Sequence, residues 1–230
     1  MIRLMLLGMA EPRSDRQFDS VFHRPQRGRR SQPALSRERI VAATVALLDR
    51  DGATALTMRK VAAELGVHAT SLYWYVERRE DLVDLAVDEV LAGAAAALPG
   101  PETPWDTAVK ETAHGFYAAL TAHTWAAGFA GSRPLIGPNA VALSRRIIGA
   151  LQACGGSDEE QAVAIRAISN QIIGAATTAV ALRTTSSPPG TPDAALSAAV
   201  TASDALAVGN SYFDQVLDLV LAGIAARRGT

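Results

Sequence analysis

The stretch from Thr57 to Val76, TMRKVAAELGVHATSLYWYV, restricts the fold of this chain more than any other segment. Thr57 suits the N-cap of a short helix, and Gly66 ends that helix in a tight turn. A second helix is predicted to begin near His68 or Ala69 and to run to about Val76. Helix, glycine turn and helix at this spacing are typical of a helix-turn-helix.

Three consecutive aromatic residues, Tyr73, Trp74 and Tyr75, lie in this second helix, although the chain has only twelve aromatic residues in all. Consecutive helical positions point about 100° apart, so one core face does not bury all three rings. With Leu72 toward the core, Val76 falls beside it and Tyr75 falls near the core side. The opposite face then carries the following residues: Thr70, Ser71, Tyr73 and Trp74. Short hydroxyls followed by large rings suit a helix that enters the major groove of DNA. The alternative is that the rings pack under a neighbouring element.

Helical periodicity continues along the rest of the chain, and no segment alternates as a strand would. Ser36 is a predicted N-cap and Gly52 a predicted stop for the first helix, and the fourth helix is predicted from Arg79–Asp81 to about Leu98. A proline-rich break at 98–104 separates two regions. Further helices are predicted near 105–123, 138–153, 158–183, 193–202 and 204–227. The predicted fold is all-α, with a three-helix DNA-binding domain over 36–82 and a helical effector-binding and dimerisation domain over 83–230.

Charge is divided unevenly along the chain, although the formal net charge is only −1. Residues 1–79 carry fourteen Lys and Arg against eight Asp and Glu, whereas residues 80–230 carry eight against fifteen. A basic N-terminal part suits a polyanionic partner. Residues 1–35 lack helical period and are predicted to be a mostly disordered basic arm, either lying along DNA or acting as a solubilising tail.

Several classes of protein are disfavoured by the same residues. A single cysteine, Cys154, forms no internal disulfide and no Cys-rich metal site. The four histidines lack metal-ligand spacing of the HExxH kind, and no nucleophile–base pair is readable, so we predict no catalytic residues, no metal site and no cofactor. No signal peptide or membrane span is predicted, and we expect a cytoplasmic protein. An all-helical enzyme or small-molecule-binding protein without operator function is the alternative, and DNA binding without an effector is a third interpretation.

The segment LTMRKVAAELGVHATSLYWYVERREDLVDLAVDEVL resembles the DNA-binding region of the TetR family of bacterial regulators, and is most similar to its tetracycline-repressor branch. The resemblance implies an all-α homodimer that binds an operator and a small effector, most often as a repressor. It implies that Arg59 reads a guanine and that Ala69, Thr70 and Ser71 lie at base edges. Phosphate contacts are implied for five residues: Thr57, Lys60, Tyr73, Trp74 and Arg79. For Arg59 and Lys60 the alternative is a solvated helix face.

The effector pocket departs from that branch of the family. Where the branch has a metal-ligating His this chain has Phe129, and its other drug-binding positions fall near Ala95, Thr112 and Thr178. We therefore predict no magnesium–drug site and a largely apolar effector. The candidate effector-binding residues are Phe116, Trp125, Phe129, Asn170, Gln171, Thr177 and Thr178. For any one of them, core packing is the alternative.

Apolar positions on the last two long helices cover more than one face. Ile165, Ile172 and Val180 on one helix, and Phe213, Leu217 and Leu221 on the other, are accompanied by further apolar residues around each wheel. A helix of this kind is buried on two sides. The pattern predicts a homodimer formed by four-helix packing, with a centrally buried helix in a monomer as the alternative.

Overall fold

The computed structural model describes residues 20–24, 35–184 and 210–228, and every regular element in these ranges is helical. The helices are α1 (Arg37–Asp51), α2 (Met58–Glu64), α3 (Ala69–Leu72), α4 (Arg79–Val90), α5 (Ala92–Ala96), α6 (Trp105–Ala122), α7 (Ala126–Ser132), α8 (Pro138–Ala153), α9 (Asp158–Thr184) and α10 (Asn210–Arg228), with a short 3-10 helix over Ala53–Ala55. The predicted all-α fold is confirmed. None of the described helices combines the length and the apolar character that crossing a bilayer requires.

The described residues form two compact units, one from residues 20–24, 35–92 and 123–141 and the other from 93–122, 142–184 and 210–228. In the first unit α1 packs on α4, α2 on α3, and α4 on α7. Helix α7 and the start of α8 belong to the first unit, and the predicted domain boundary between residues 82 and 83 stays a prediction.

Local capping sets the ends of the first two helices, as the sequence predicts. The Ser36 hydroxyl accepts the amide of Arg39 (3.2 Å), and Gly52 follows α1 with φ of 77°. The Thr57 hydroxyl accepts the amide of Lys60 (3.2 Å), and Gly66 takes φ of 67° in the turn before α3. These two caps fix where α1 and α2 begin.

In the second unit α6 packs on α9, and α10 packs on both. The Tyr117 and Phe213 rings are stacked with centroids 4.3 Å apart, which joins α6 to α10. Ile168 and Ile172 of α9 are fully buried. The Arg183 guanidinium donates to the Thr121 carbonyl (2.7 Å), linking the end of α9 to the end of α6.

Three elements differ from prediction. Helix α3 ends at Leu72, although the Leu72 carbonyl still accepts the amides of Tyr75 and Val76 and keeps the chain in a helical turn. Helix α4 ends at Val90, where the Asp88 carbonyl accepts the Leu91 amide in a tighter turn, and α5 follows. Helix α7 lies outside the helices that the sequence predicts.

Part of the predicted N-terminal arm is packed. Val21 and Ser20 are buried, so the expectation of disorder does not hold for residues 20–24. The rest of the arm, residues 1–19 and 25–34, and the predicted helix over 193–202 lie outside the described residues.

Candidate DNA interface and effector region

Helix α3 and the turn after it carry four residues that we call the reading surface: Thr70, Ser71, Tyr73 and Trp74. Exposure changes sharply between these residues and their neighbours. Leu72 and Val76 are buried (0% and 1% exposed), whereas Tyr73 and Trp74 are 47% and 51% exposed. Thr70 is exposed and Ser71 and Ala69 are half-buried. The face carrying Thr70, Ser71, Tyr73 and Trp74 thus has the orientation that the helical wheel predicts, and large apolar rings held in solvent favour a partner surface.

Helix α2 carries exposed cations beside this surface. Arg59 and Lys60, which precede the Gly66 turn in the sequence, are both exposed. The Thr57 hydroxyl oxygen accepts a hydrogen bond, which leaves its own hydrogen available to donate to a phosphate oxygen. Two basic side chains and a hydroxyl are the groups that position a protein on the DNA backbone.

Arg79 is half-buried and bonds to backbone carbonyls of the first unit. Its Nε donates to the Leu56 carbonyl and its Nη2 to the Ala53 carbonyl, each at 2.9 Å. The guanidinium therefore ties the start of α4 to the first residue of the 3-10 helix, Ala53, and to Leu56, which follows that helix. Two of the guanidinium nitrogens of Arg79 are thus used inside the protein, and the phosphate contact that the resemblance implies for this residue stays a prediction.

Tyr75 is the ring that faces inward, as predicted. Its hydroxyl donates to the Leu35 carbonyl (2.8 Å), and the side chain is half-buried. This bond joins the residue after the reading surface to the chain just before α1.

A row of three aspartates on α4 organises the first unit, and the sequence analysis missed it. Asp81 accepts hydrogen bonds from the Arg24 guanidinium. Asp84 pairs with Arg133 at 2.5 and 2.9 Å. Asp88 accepts hydrogen bonds from the first backbone amides of α8. The signal in the sequence was three acids at helical spacing within an apolar helix, where an unpaired carboxylate is costly.

Asp88 is buried and lies at the start of α8. Its Oδ1 accepts the Ala140 amide (2.9 Å) and its Oδ2 accepts the Asn139 amide (3.3 Å) and side-chain amide (3.1 Å). Burial raises the pKa of Asp88 above its ordinary value, and these hydrogen bonds oppose that rise. The carboxylate caps α8 from α4.

The two predicted effector residues of the first unit contact protein groups. Trp125 is buried, and its Nε1 donates to Asp49 Oδ1 of α1 (2.7 Å), which also bonds His123 Nδ1 (2.7 Å). Phe129 is half-buried, 6.4 Å from the Trp125 ring, and lines a small cleft together with Phe22. The Trp125 indole thus holds α1, which is a structural contact that the sequence analysis did not anticipate.

The predicted effector residues of the second unit divide by helix face. Phe116 is buried, but Asn170, Thr177 and Thr178 are exposed. The Thr177 hydroxyl donates to the Ile173 carbonyl of its own helix (2.8 Å). All three side chains are thus turned to solvent, and their contact with an effector stays a prediction.

Gln171 is the exception on α9. Its Nε2 atom is buried and has no acceptor among the described residues. A buried donor of this kind is costly unless a ligand or water satisfies it. No group of three or more His, Cys, Asp or Glu side chains in the described ranges is arranged to hold a metal ion.

Two sequence profiles match the chain. "Bacterial regulatory proteins, tetR family" matches residues 40–86, and "Tetracyclin repressor-like, C-terminal domain" matches residues 98–228, more than half of the chain. The first covers the Thr57 cap, the Gly66 turn and the reading surface described above, and the second covers α6 to α10.

Similar proteins carry the names of regulators. An HTH-type transcriptional regulator of Saccharopolyspora erythraea is 42% identical over 156 residues, and the HTH-type transcriptional repressor DrrR1 of Streptomyces coeruleorubidus is 34% identical over 153. The matches cover 67% and 66% of this chain but 65% and 56% of those relatives, less than two thirds of their length. The structure of ActR from Streptomyces coelicolor in complex with (S)-DNPA is 27% identical, with a TM-score of 0.65 over 84% of this chain and 98% of that one.

Proposed function

The chain belongs to the TetR family of bacterial regulatory proteins, and from that premise we propose that it is a ligand-responsive, dimeric transcription factor. We propose further that it represses transcription until a small, largely apolar effector releases it from a palindromic operator, and that it acts by binding rather than by catalysis. DrrR1, whose match to this chain spans 153 residues, is named a repressor.

One observation carries the DNA-binding proposal: Thr70, Tyr73 and Trp74 are exposed while Leu72 and Val76, between and beside them, are buried. A short helix with hydroxyls at its start and rings after them can enter the major groove and reach base edges and sugars. Arg59 would read a guanine, and Thr57 and Lys60 would hold phosphates.

A dimer is supported by the outward face of α9. One face of α9 is exposed at spacings of seven, four, three and four residues, which are whole helical turns: Val163, Asn170, Gly174, Thr177 and Ala181. The residues from Asn170 onward are small or short, which permits close approach of a second helix. The predicted effector residues Asn170, Thr177 and Thr178 fit this interface better than a pocket.

An effector site in the second unit is supported by Phe116 and by the buried amide of Gln171. Apolar walls with one fixed polar group are typical of small-molecule sites. The relative ActR is recorded in complex with (S)-DNPA, which makes a small organic molecule a reasonable class of effector for this chain.

Release requires the effector to prefer the geometry that does not bind DNA. A shift from 99:1 to 1:99 needs about 10⁴-fold preference, roughly 5.5 kcal/mol. Helix α4 follows the reading surface and α5 follows α4 directly in the chain, so a movement of α5 is passed along the backbone.

The test is selection of bound sequences from random DNA with the full chain, followed by gel shift. We expect enrichment of a palindrome whose half-sites lie about 34–36 Å apart. Arg59→Ala should weaken binding about 10- to 100-fold and relax one base position, whereas Arg145→Ala, on α8, should not. Failure to enrich any palindrome at low salt would exclude operator binding.

A further inference from the structure

Residues 20–24 precede the region that the family profile matches, yet they are folded against the first unit. The Ser20 carbonyl accepts the His23 amide (3.0 Å) and the Ser20 hydroxyl accepts the Phe22 amide (3.3 Å), which closes a turn. Val21 is 2% exposed, and its carbonyl accepts Arg37 Nη2 of α1 (3.3 Å). The segment is thus held by its own turn and by α1.

Arg24 ends this segment in a two-bond contact with Asp81. Nη1 donates to Oδ2 at 2.8 Å and Nη2 to Oδ1 at 2.6 Å, and Glu77 lies 3.1 Å from Nη1. The Asp81 side chain is 1% exposed and that of Arg24 is 19% exposed. A paired guanidinium and carboxylate of this geometry is strong and directional, and the carboxylate has little access to water.

Asp81 also organises the turn that follows the reading surface. Its Oδ2 accepts the amides of Glu77 (2.8 Å) and Arg78 (3.0 Å), the two residues between Val76 and α4. The same carboxylate therefore fixes both the turn after α3 and the first turn of α4. Any loss of its position changes how the α3 surface is presented relative to α4.

We propose that residues 20–24 form a brace for the DNA-reading unit, and that Arg24 is a positioning residue for operator binding because it holds Asp81. The effect of the brace on operator binding rests on the proposed function, whereas its contacts within the protein do not depend on DNA. Without the Arg24 guanidinium, the buried Asp81 carboxylate keeps the two amide bonds and the longer Arg78 contact (3.6 Å) but loses its two shortest charged bonds, so the turn loosens. Arg24 acts through the protein and makes no phosphate contact.

The operator test uses full-chain Arg24→Ala, Asp81→Asn, the double variant and the charge-loss control Arg145→Ala. We expect Arg24→Ala to weaken operator binding about tenfold, as loss of about 1.4 kcal/mol would. The slope of log affinity against log salt should stay unchanged, since a lost phosphate contact lowers it by about one. In the Asp81→Asn background the Arg24→Ala change should have a much smaller effect, since mainly the Glu77 contact at 3.1 Å is then lost.

Hydrogen exchange tests the brace without DNA. In Arg24→Ala the amides of Glu77 and Arg78 should exchange faster, while amides in α9 keep their protection. Arg24→Lys, which keeps the charge but not the paired geometry, should lie between wild type and Arg24→Ala and serves if the latter does not fold. If the wild-type chain bound no operator, the proposed function would be excluded, but the hydrogen-exchange comparison would still test the brace.

Three outcomes would overturn the proposal: wild-type affinity and exchange in Arg24→Ala, a salt slope lowered by one, or an equal loss in the Asp81→Asn background. The first would show that the Arg24–Asp81 pair affects neither operator binding nor the turn after α3. The second would make Arg24 a direct phosphate contact. The third would separate Arg24 from Asp81.

Discussion

Tyr73 and Tyr75 are two residues apart and have opposite surroundings. Tyr73 is 47% exposed on the reading surface, while the Tyr75 hydroxyl donates to the Leu35 carbonyl. Removing a hydroxyl that makes one internal hydrogen bond costs about 1 kcal/mol. We therefore expect Tyr75→Phe to lower the free energy of unfolding by about 1 kcal/mol with little change in operator affinity once folded.

Tyr73→Phe should behave in the opposite way. The Tyr73 hydroxyl makes no hydrogen bond within the part of the chain that the structure describes, so the free energy of unfolding should stay unchanged, whereas operator affinity should fall because a phosphate donor is lost. Urea unfolding and gel shift on both variants give the comparison. Equal effects of the two substitutions on binding would contradict the orientation of α3.

The Asp81 carboxylate makes stability depend on pH. Burial alone would raise its pKa, but the Arg24 guanidinium and the Glu77 and Arg78 amides hold the pKa of Asp81 below its ordinary value of 3.8. The folded state therefore favours the ionised form, and this contribution is present above pH 3.8 and lost as pH falls through the folded-state pKa.

We expect wild type to exceed Asp81→Asn in free energy of unfolding at pH 7, and the difference to shrink below about pH 3.8. Subtracting the variant removes the other carboxylates from the comparison. Denaturant unfolding at a series of pH values measures it. A difference that stays constant to pH 2 would show that the ionised carboxylate is not what stabilises the turn.

At the scale of elements, the approach of α4 to the start of α8 requires a glycine. A Cβ added to Gly137 would lie 2.2 Å from Asp88 Cγ and 2.7 Å from Asp88 Cβ. Because Asp88 also caps α8 through the Asn139 and Ala140 amides, it has no free direction in which to move. Gly137→Ala should lower the free energy of unfolding by about 2 kcal/mol.

Gly149→Ala is the matched control for this prediction. Gly149 lies within α8 and has open space around the added methyl group, so alanine should stabilise the helix by about 0.5–1 kcal/mol. Both changes are followed by urea unfolding under the same conditions. A neutral Gly137→Ala would mean that Asp88 does not hold the start of α8.

Elements whose ends depend on nearby residues were predictable from the sequence. Ser36, Thr57 and Gly66 set their helix ends through bonds or dihedral angles within a few residues, and the prediction was confirmed. Helix α7 was missed because its glycines argue for a loop, while burial of Trp125, Ala127 and Ala130 overrides that weak preference.

The candidate site shows the same limit. The face of α3 follows from helical geometry, so Leu72 and Trp74 could be assigned to opposite sides. The hydrogen bonds of Arg79 could not be predicted in this way, since their acceptors, the Leu56 and Ala53 carbonyls, lie 23 and 26 residues away along the chain. Arg24 and Asp81 are separated by 57 residues, and no local pattern predicts such a pair.

At the scale of the whole molecule, the outer faces of α9 and α10 carry the argument for a dimer. Val163 is 52% exposed and Leu219 is 74% exposed, among the largest apolar side chains left in solvent in the described residues. On α10, Leu219 lies on one face with Gln215, Ala222 and Ala226, all of them exposed. Two helices of this kind fit a partner's identical pair in a four-helix arrangement.

Leu219→Lys tests that arrangement, since an unpaired charge in an apolar interface costs about 3 kcal/mol. The dimer dissociation constant, from sedimentation velocity, should rise about a hundredfold, and operator affinity should fall because a monomer holds only one half-site. Ala118→Lys, an exposed position on α6, adds the same charge elsewhere and should change neither quantity. A Leu219→Lys protein that remains dimeric at nanomolar concentration would move the interface away from α10, and the spacing of the two reading surfaces would then have to be set by another face of the second unit.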